Sequence, residues 1–143
     1  MQIALATKED LDGILALQDQ VYKVKQIHQD ATKILVDLIG AHYCNIVIAK
    51  VDNKIVGSAT ILYLPIPAYG KPYAYLEGLV VDKNFRHKGV GTALLGKLVE
   101  LAKGKGCYKF VGTSRFASED VHQFYEKCGF AKWGFEFRKN LKT

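Results

Sequence analysis

Proline is scarce and confined. The 143 residues hold three, all inside Pro65-Ile66-Pro67-Ala68-Tyr69-Gly70-Lys71-Pro72, so nothing outside that segment reads as a proline-rich linker. Cysteine is also sparse: Cys44, Cys107 and Cys128 are an odd set with no Cys-x-x-Cys spacing. Such spacing supports neither a disulfide framework nor a zinc site. Reduced, packed thiols are the expectation. The histidines His28, His42, His87 and His122 lack metal-ligand spacing too, and no metal is expected. No apolar run approaches the roughly 18 residues of a membrane helix, so no membrane association is expected. The opening Met1-Gln2-Ile3-Ala4-Leu5 carries no basic region and soon meets Lys8-Glu9-Asp10. That pattern is unlike a signal peptide, and a cytoplasmic protein is the default expectation.

What is present is an ordinary globular mix, 49% hydrophobic and 24% charged, which excludes disorder, collagen and coiled coil. The length suits one domain, 1–143. Net charge is +6, a balance suited to nucleic acid, an anionic surface or a polyanionic small molecule. The basic residues are spread along the chain, and the tightest internal group is Lys83, Arg86 and Lys88. That distribution favours a local anion site over a DNA-binding stripe.

Periodicity orders the chain. Ile3 and Leu5 alternate as a short strand. Thr7 is a plausible N-cap for a helix reaching about residue 22, with Leu11, Ile14, Leu15, Val21 and Tyr22 on one face. Ala31, Ile34, Leu35, Leu38 and Ile39 predict a second amphipathic helix, closed by Gly40. Runs 45–51 and 54–64 flank Asp52-Asn53 as a hairpin. Residues 65–72 read as a loop, 73–82 as a long strand and 90–103 as a helix with Leu94, Leu95, Leu98, Leu101 and Ala102 inward. A strand at 108–113, a helix at 118–128 with Val121, Phe124, Tyr125 and Cys128 on one face, and a last strand at 130–138 complete the order. The result, β-α-α-β-β-β-α-β-α-β, is a mixed α/β chain.

The most informative segment is Leu79-Val80-Val81-Asp82-Lys83-Asn84-Phe85-Arg86-His87-Lys88-Gly89-Val90-Gly91-Thr92. A strand enters a glycine-containing loop that opens a helix, where free N–H groups and the helix dipole favour phosphate. Gly89 and Gly91 let backbone approach closely, and Arg86 and Lys88 add charge. A Walker loop needs Gly-Lys-Ser/Thr, which is absent, and a dinucleotide fingerprint needs a third glycine where Leu94 stands. The competing reading is a plain strand-to-helix turn.

Arg86-His87-Lys88-Gly89-Val90-Gly91 resembles the Arg/Gln-x-x-Gly-x-Gly/Ala signature of the GNAT superfamily of acetyl-CoA-dependent N-acetyltransferases. Phe124-Tyr125-Glu126-Lys127-Cys128-Gly129-Phe130 resembles that family's C-terminal Tyr-Glu-Lys-x-Gly-Phe segment, in the right order and spacing. Within the superfamily, Tyr75-Leu76-Glu77-Gly78-Leu79-Val80-Val81 is most similar to glucosamine-phosphate N-acetyltransferases, except that Gly78 stands where those enzymes often carry Asp. The resemblance implies a GNAT fold, a mixed central sheet with helices on both faces, and acetyl-CoA as cosubstrate. It implies cosubstrate contacts from Leu79, Val80 and Val81 backbone and from Arg86, His87, Lys88, Gly89, Val90, Gly91 and Thr92. A small-molecule amine is the implied acceptor, and family habit points to a homodimer.

Amide formation from a thioester needs a neutral amine, and a lysine-like amine is only about one part in ~10³ neutral at pH 7. Glu77, in an otherwise apolar-aromatic run, is a candidate general base acting through water, with burial expected to raise its pKa. A carboxylate paired with a neighbouring strand or facing water is the equal alternative. Tyr125 is placed by the resemblance near the departing sulfur as a proton donor. A simple core stripe with Phe124 is its competitor. Tyr63, Tyr69, Tyr73 and Tyr75 are candidates for a pocket wall, with aromatic packing the commoner role. Arg115 is a weaker candidate for an anionic substrate group, and His122 and Cys128 are expected to be helix-face neighbours without catalytic roles. A non-catalytic CoA-sensing or nucleic-acid-binding module on the same fold remains the alternative function.

Overall fold

The computed structural model describes residues 1–141. The chain folds as two compact units, Met1–Val111 and the part from Gly112 onward.

The first unit holds a five-stranded sheet, in order β1 (Gln2–Leu5), β2 (Cys44–Val51), β3 (Lys54–Ile66), β4 (Lys71–Val81) and β5 (Phe110–Val111). Neighbours are antiparallel except β4 and β5, which run parallel. The β2–β3 hairpin forms where Asp52-Asn53 predicts it, because both residues take the positive φ (50° and 63°) that a two-residue turn requires. The prolines do not interrupt the next hairpin as expected. β3 and β4 run on to a short turn at Pro67–Tyr69, with Pro65 facing Pro72. Pairing of β3 with β2 ends at Cys44–Leu62, so Pro65 lies where β3 is already an edge and no donor is missed.

Thr7 and Asp10 form a capping box: the Asp10 carboxylate accepts from the Thr7 N–H at 2.8 Å, and Lys50 approaches its other oxygen at 3.0 Å. The single helix expected over 11–22 is broken into α1 (Leu11–Leu15) and α2 (Gln18–Tyr22). Tight bonds from Leu17 N to Ile14 O and from Gln20 N to Leu17 O turn the chain between them, and this buries both Ile14 and Leu17. Tyr22 leaves the inward face and is 46% exposed. In α3 (Ala31–Gly40), Leu35 is buried while Leu38 and Ile39 pack beside it; Ile34, expected inward, is 55% exposed.

Ile14, Leu17 and Leu35 pack on Ile46, Ile48, Ile55 and Val80, so α1 and α3 cover one face of the sheet. The other face receives α4 (Val90–Gly104) through buried Val90, Leu94, Leu95, Leu98 and Ala102, as its spacing predicts. Gly57 permits that contact: a Cβ there would stand 2.9 Å from Leu94 and 3.2 Å from Val90.

The second unit is built on α5 (Glu119–Lys127). The strand expected over 130–138 is not formed; residues 130–141 have no regular structure. Trp133, Phe135 and Phe137 alternate along this segment and are 97%, 74% and 92% exposed. Alternation marks a segment that suits a sheet, but a strand has no hydrogen bonds of its own, and no described strand pairs with this one.

Candidate active site

β4 carries a bulge. Ser58 pairs with Val80 and Thr60 with Glu77, so Gly78 and Leu79 together face Ala59. Gly78 adopts φ +65°, which explains glycine at this point. The bulge shifts the hydrogen-bonding alternation of the strand. Before it, Ala74 N–H donates toward the β5 side, to Lys109 O at 2.9 Å; after it, Asp82 N–H donates to Val56 O of β3 at 2.8 Å. Val81 consequently presents its polar backbone away from β3, and its carbonyl accepts from Arg86 Nε at 3.0 Å. β5 pairs only at Ala74 and Tyr75, so no described strand covers β4 from Glu77 to Val81 on that side. The same divergence shortens the strand expected over 108–113 to two residues.

Past β4, buried Asp82 accepts from Asn84 N–H at 3.0 Å and lies 3.9 Å from Lys54, which closes a tight turn at Lys83–Phe85. The Phe85 ring lies under Lys88 at 5.4 Å and Lys54 at 5.9 Å. His87 and Gly89 both take left-handed conformations, φ 61° and 84°. No side chain caps α4, and Ala93 N–H donates to Gly89 O at 3.0 Å. The N–H groups of Val90, Gly91 and Thr92 therefore precede the helix's own bonding. An open strand edge leading into this uncapped N-terminus, with Lys54, Lys83, Arg86, His87 and Lys88 around it, suits an elongated ligand ending in phosphate. Arg86 reaches it already tied to Val81, a role the sequence did not suggest.

Glu77 lies on β4 immediately before the bulge. It is exposed, so the burial expected to tune it is absent. In its place stands a partner that sequence reasoning missed: Tyr22 Oη donates to Glu77 Oε1 at 2.8 Å. Burial of the hydroxyl end, then the hydrogen bond and charge of Glu77, push the Tyr22 phenol well above its ordinary pKa, although much of the ring is exposed. From the same helix, Gln20 Oε1 accepts from Lys83 N–H at 3.0 Å. Helical spacing assigned Tyr22 to the core, so no sequence signal pointed to this contact.

In the second unit, Tyr125 is part-buried on α5, with ring contacts to Phe124 and Phe130 at 5.4 and 5.5 Å. The helix ends in a Schellman motif: Phe130 N–H donates to Tyr125 O at 3.0 Å, Gly129 N–H donates to Glu126 O at 3.1 Å, and Gly129 takes φ +91°. The Tyr-Glu-Lys-x-Gly-Phe pattern thus has a structural role as well, since it locks the end of the helix that bears Tyr125. His122 approaches Arg115 O at 2.9 Å through Nε2 and Glu119 at 3.8 Å through Nδ1. Both contacts lie within this unit.

Of the four tyrosines near the prolines, Tyr63 is core. Its hydroxyl donates to Asn45 at 2.7 Å, and burial first, then Cys107 and Cys44, push its pKa up to about 12. Tyr69 and Tyr73 gather around Tyr108, with centroids 4.4 and 6.4 Å away, and Lys109 lies over Tyr73 at 4.9 Å. Tyr75 stays on β4, two residues before Glu77. All three cysteines are free thiols. The Cys44 thiol is buried and donates to Leu38 O at 3.1 Å, and burial raises its pKa and that of Cys107. No group of metal-ligating side chains occurs among the described residues.

The fold and this site define a mixed α/β protein in which a strand edge without a described partner leads to an uncapped helix N-terminus. The profile of the Acetyltransferase (GNAT) family matches residues 11–130, across both units, and the chain belongs to that family. It is 38% identical over 90 residues to glucosamine 6-phosphate N-acetyltransferase of Trypanosoma brucei brucei, covering 62% of this chain and 59% of that protein. It is 28% identical over 105 residues to an aminoglycoside N(6')-acetyltransferase type 1 of Stenotrophomonas maltophilia, covering 71% and 67%. The structure of a putative acetyltransferase from Agrobacterium tumefaciens superposes with TM-score 0.87 at 29% identity, covering 97% of this chain and 100% of that one.

Proposed function

We propose that the protein transfers the acetyl group of acetyl-CoA to a primary amine of a small molecule, with amino sugars and aminoglycosides as the first acceptor classes to test. The observation that carries this reading is the conjunction of the family match with the β4 bulge, whose open edge runs into the Gly89-led turn. In it, Leu79 and Val81 offer backbone to the pantetheine arm and thioester carbonyl, and Val80, whose polar backbone faces β3 as that of Asp82 does, holds the strand between them. Arg86, His87, Lys88, Gly89, Val90, Gly91 and Thr92 cradle the pyrophosphate. Glu77 takes the proton of the attacking amine through a water. The amine nitrogen bonds to the acetyl carbon, the carbon–sulfur bond breaks, and Tyr125 donates a proton to the departing thiolate.

The test is acetylation of an amine panel containing glucosamine 6-phosphate, an aminoglycoside, a polyamine and a peptide, followed as CoA release. Turnover of at least one amine is expected. Silence toward all of them with tight acetyl-CoA binding would favour a CoA-sensing module; DNA binding that weakens steeply with salt would favour a nucleic-acid module. Tyr125→Phe is expected to lower kcat by about tenfold or more with KM for acetyl-CoA little changed. An unchanged kcat, with chemistry shown to limit the rate, removes Tyr125 from the role.

A homodimer is part of the same proposal. Exposed Phe116 and Phe135, whose rings lie 6.1 Å apart, support it together with exposed Trp133 and Phe137 on the same segment, since a contiguous exposed apolar patch marks an interaction site. Sedimentation velocity is expected to give twice the 15.9 kDa chain mass; a monomer at micromolar concentration would end that part of the proposal.

A further inference from the structure

α2 grips β4 on both sides of the bulge region. Gln20 holds the backbone N–H of Lys83 just past the strand, and Tyr22 holds Glu77 just before Gly78. The Tyr22 hydroxyl also passes close to Gly78: a Cβ there would stand 2.7 Å from Oη. The absence of a side chain at Gly78 therefore serves the bulge and clears the path of the phenol. An exposed glutamate on a strand ordinarily samples several rotamers, and fixing one carboxylate oxygen removes much of that freedom. The Tyr22–Glu77 bond joins positions 55 apart in the chain, on two different elements, so it exists only in the folded unit.

We propose that Tyr22 is a positioning residue for catalysis: its O–H occupies Oε1 of Glu77 and so presents Oε2 to the water that accepts the proton of the incoming amine. This rests on the reading of Glu77 as the general base. The phenol remains a proton donor across neutral pH, because desolvation and the adjacent carboxylate both oppose its ionisation. No proton is lost from Tyr22 during the reaction; the proton of the amine goes to water and thence to Glu77. Tyr22 acts through Glu77 alone.

The experiment is a double-mutant cycle of Tyr22→Phe, Glu77→Gln and the double variant. It uses the full chain and whichever of glucosamine 6-phosphate, tobramycin or spermidine the wild type turns over fastest. Glu77→Gln is expected to lower kcat by about 100-fold or more, the scale of general base catalysis. Tyr22→Phe is expected to lower kcat by about 5- to 20-fold, with KM for acetyl-CoA within about twofold, as for an interaction expressed in the transition state. The double variant should fall no further than Glu77→Gln, because Tyr22 has nothing left to position.

A normal Tyr22→Phe beside a crippled Glu77→Gln would overturn the role of Tyr22 and leave the base reading standing. Losses that multiply in the double variant, or a Tyr22→Phe effect confined to KM for the amine, would make Tyr22 an independent substrate contact and overturn positioning. A normal Glu77→Gln would refute the base reading and positioning with it.

Discussion

Gly89 separates two ways of binding a phosphate. With φ +84° at the head of α4 and open space where a Cβ would stand, the position offers backbone rather than side chain to the proposed ligand. Gly89→Asp adds strain and a carboxylate there, and acetyl-CoA affinity measured by calorimetry is expected to fall at least tenfold, about 1.4 kcal/mol, with a native far-UV spectrum. Lys88→Ala should cost less, since an exposed charge contributes modestly and this one already rests over Phe85. Equal losses would place the phosphates elsewhere. Asp10 is a residue whose charge supports the fold. Burial alone would raise its pKa, but the Thr7 N–H and Lys50 hold it below the usual carboxylate range. Its contribution is therefore present above about pH 4 and is lost as pH falls through the depressed folded-state value. Asp10→Asn is expected to cost about 1–3 kcal/mol at pH 7, and the gap between the two proteins should close on acidification. Urea melts at pH 7 and pH 3 measure it, and a gap that widens in acid would refute the assignment.

At the scale of elements, the ends decide more than the middles. α5 is short and amphipathic, and its C-terminus is set by Gly129 in a conformation that an L side chain rarely adopts. Gly129→Ala is expected to destabilise by about 1 kcal/mol and to loosen Tyr125 through the lost Phe130 contact. A lowered melting temperature with reduced kcat is the expected pair of readouts; an unchanged melting temperature would mean the Schellman end is not needed. β4 shows the complementary case. Its hydrophobic run was legible, but the bulge was not, because an extra residue in a strand leaves composition and length unaltered. That bulge frees Val81 from β3 and leaves the edge that the cosubstrate is proposed to use.

For the whole molecule, the chemistry turns on whether acetyl passes through the protein. Cys44 is buried with its thiol donated to Leu38 O, and burial makes Cys44 and Cys107 poorer thiolates. Direct attack in a ternary complex is the proposal that fits. Replacing Cys44 by Ala and Cys107 and Cys128 by Ser is expected to leave turnover within a few-fold of wild type, with intersecting initial-velocity lines. A folded but inactive triple variant would establish a thiol intermediate.

Patterns set by neighbours in the chain were readable from residues alone. Asp52-Asn53 made the hairpin, the leucine spacing of 90–104 made α4, and Gly89 and Gly129 marked a helix start and stop, because each depends on backbone preference or on one period of burial. The GNAT motifs lie in the same local class. Tertiary structure alone decided what depended on distant partners. It broke the helix at 16–17 to bury Ile14 and Leu17 together, and it turned Tyr22 out of the core and onto Glu77. It chose exposure for Glu77 where the sequence left burial and contact with water equally open, and left 130–138 unpaired despite its alternation. Periodicity reports which side of an element is apolar; only packing reports what that side meets, and a hydrogen bond between residues 22 and 77 has no trace in either stretch of sequence.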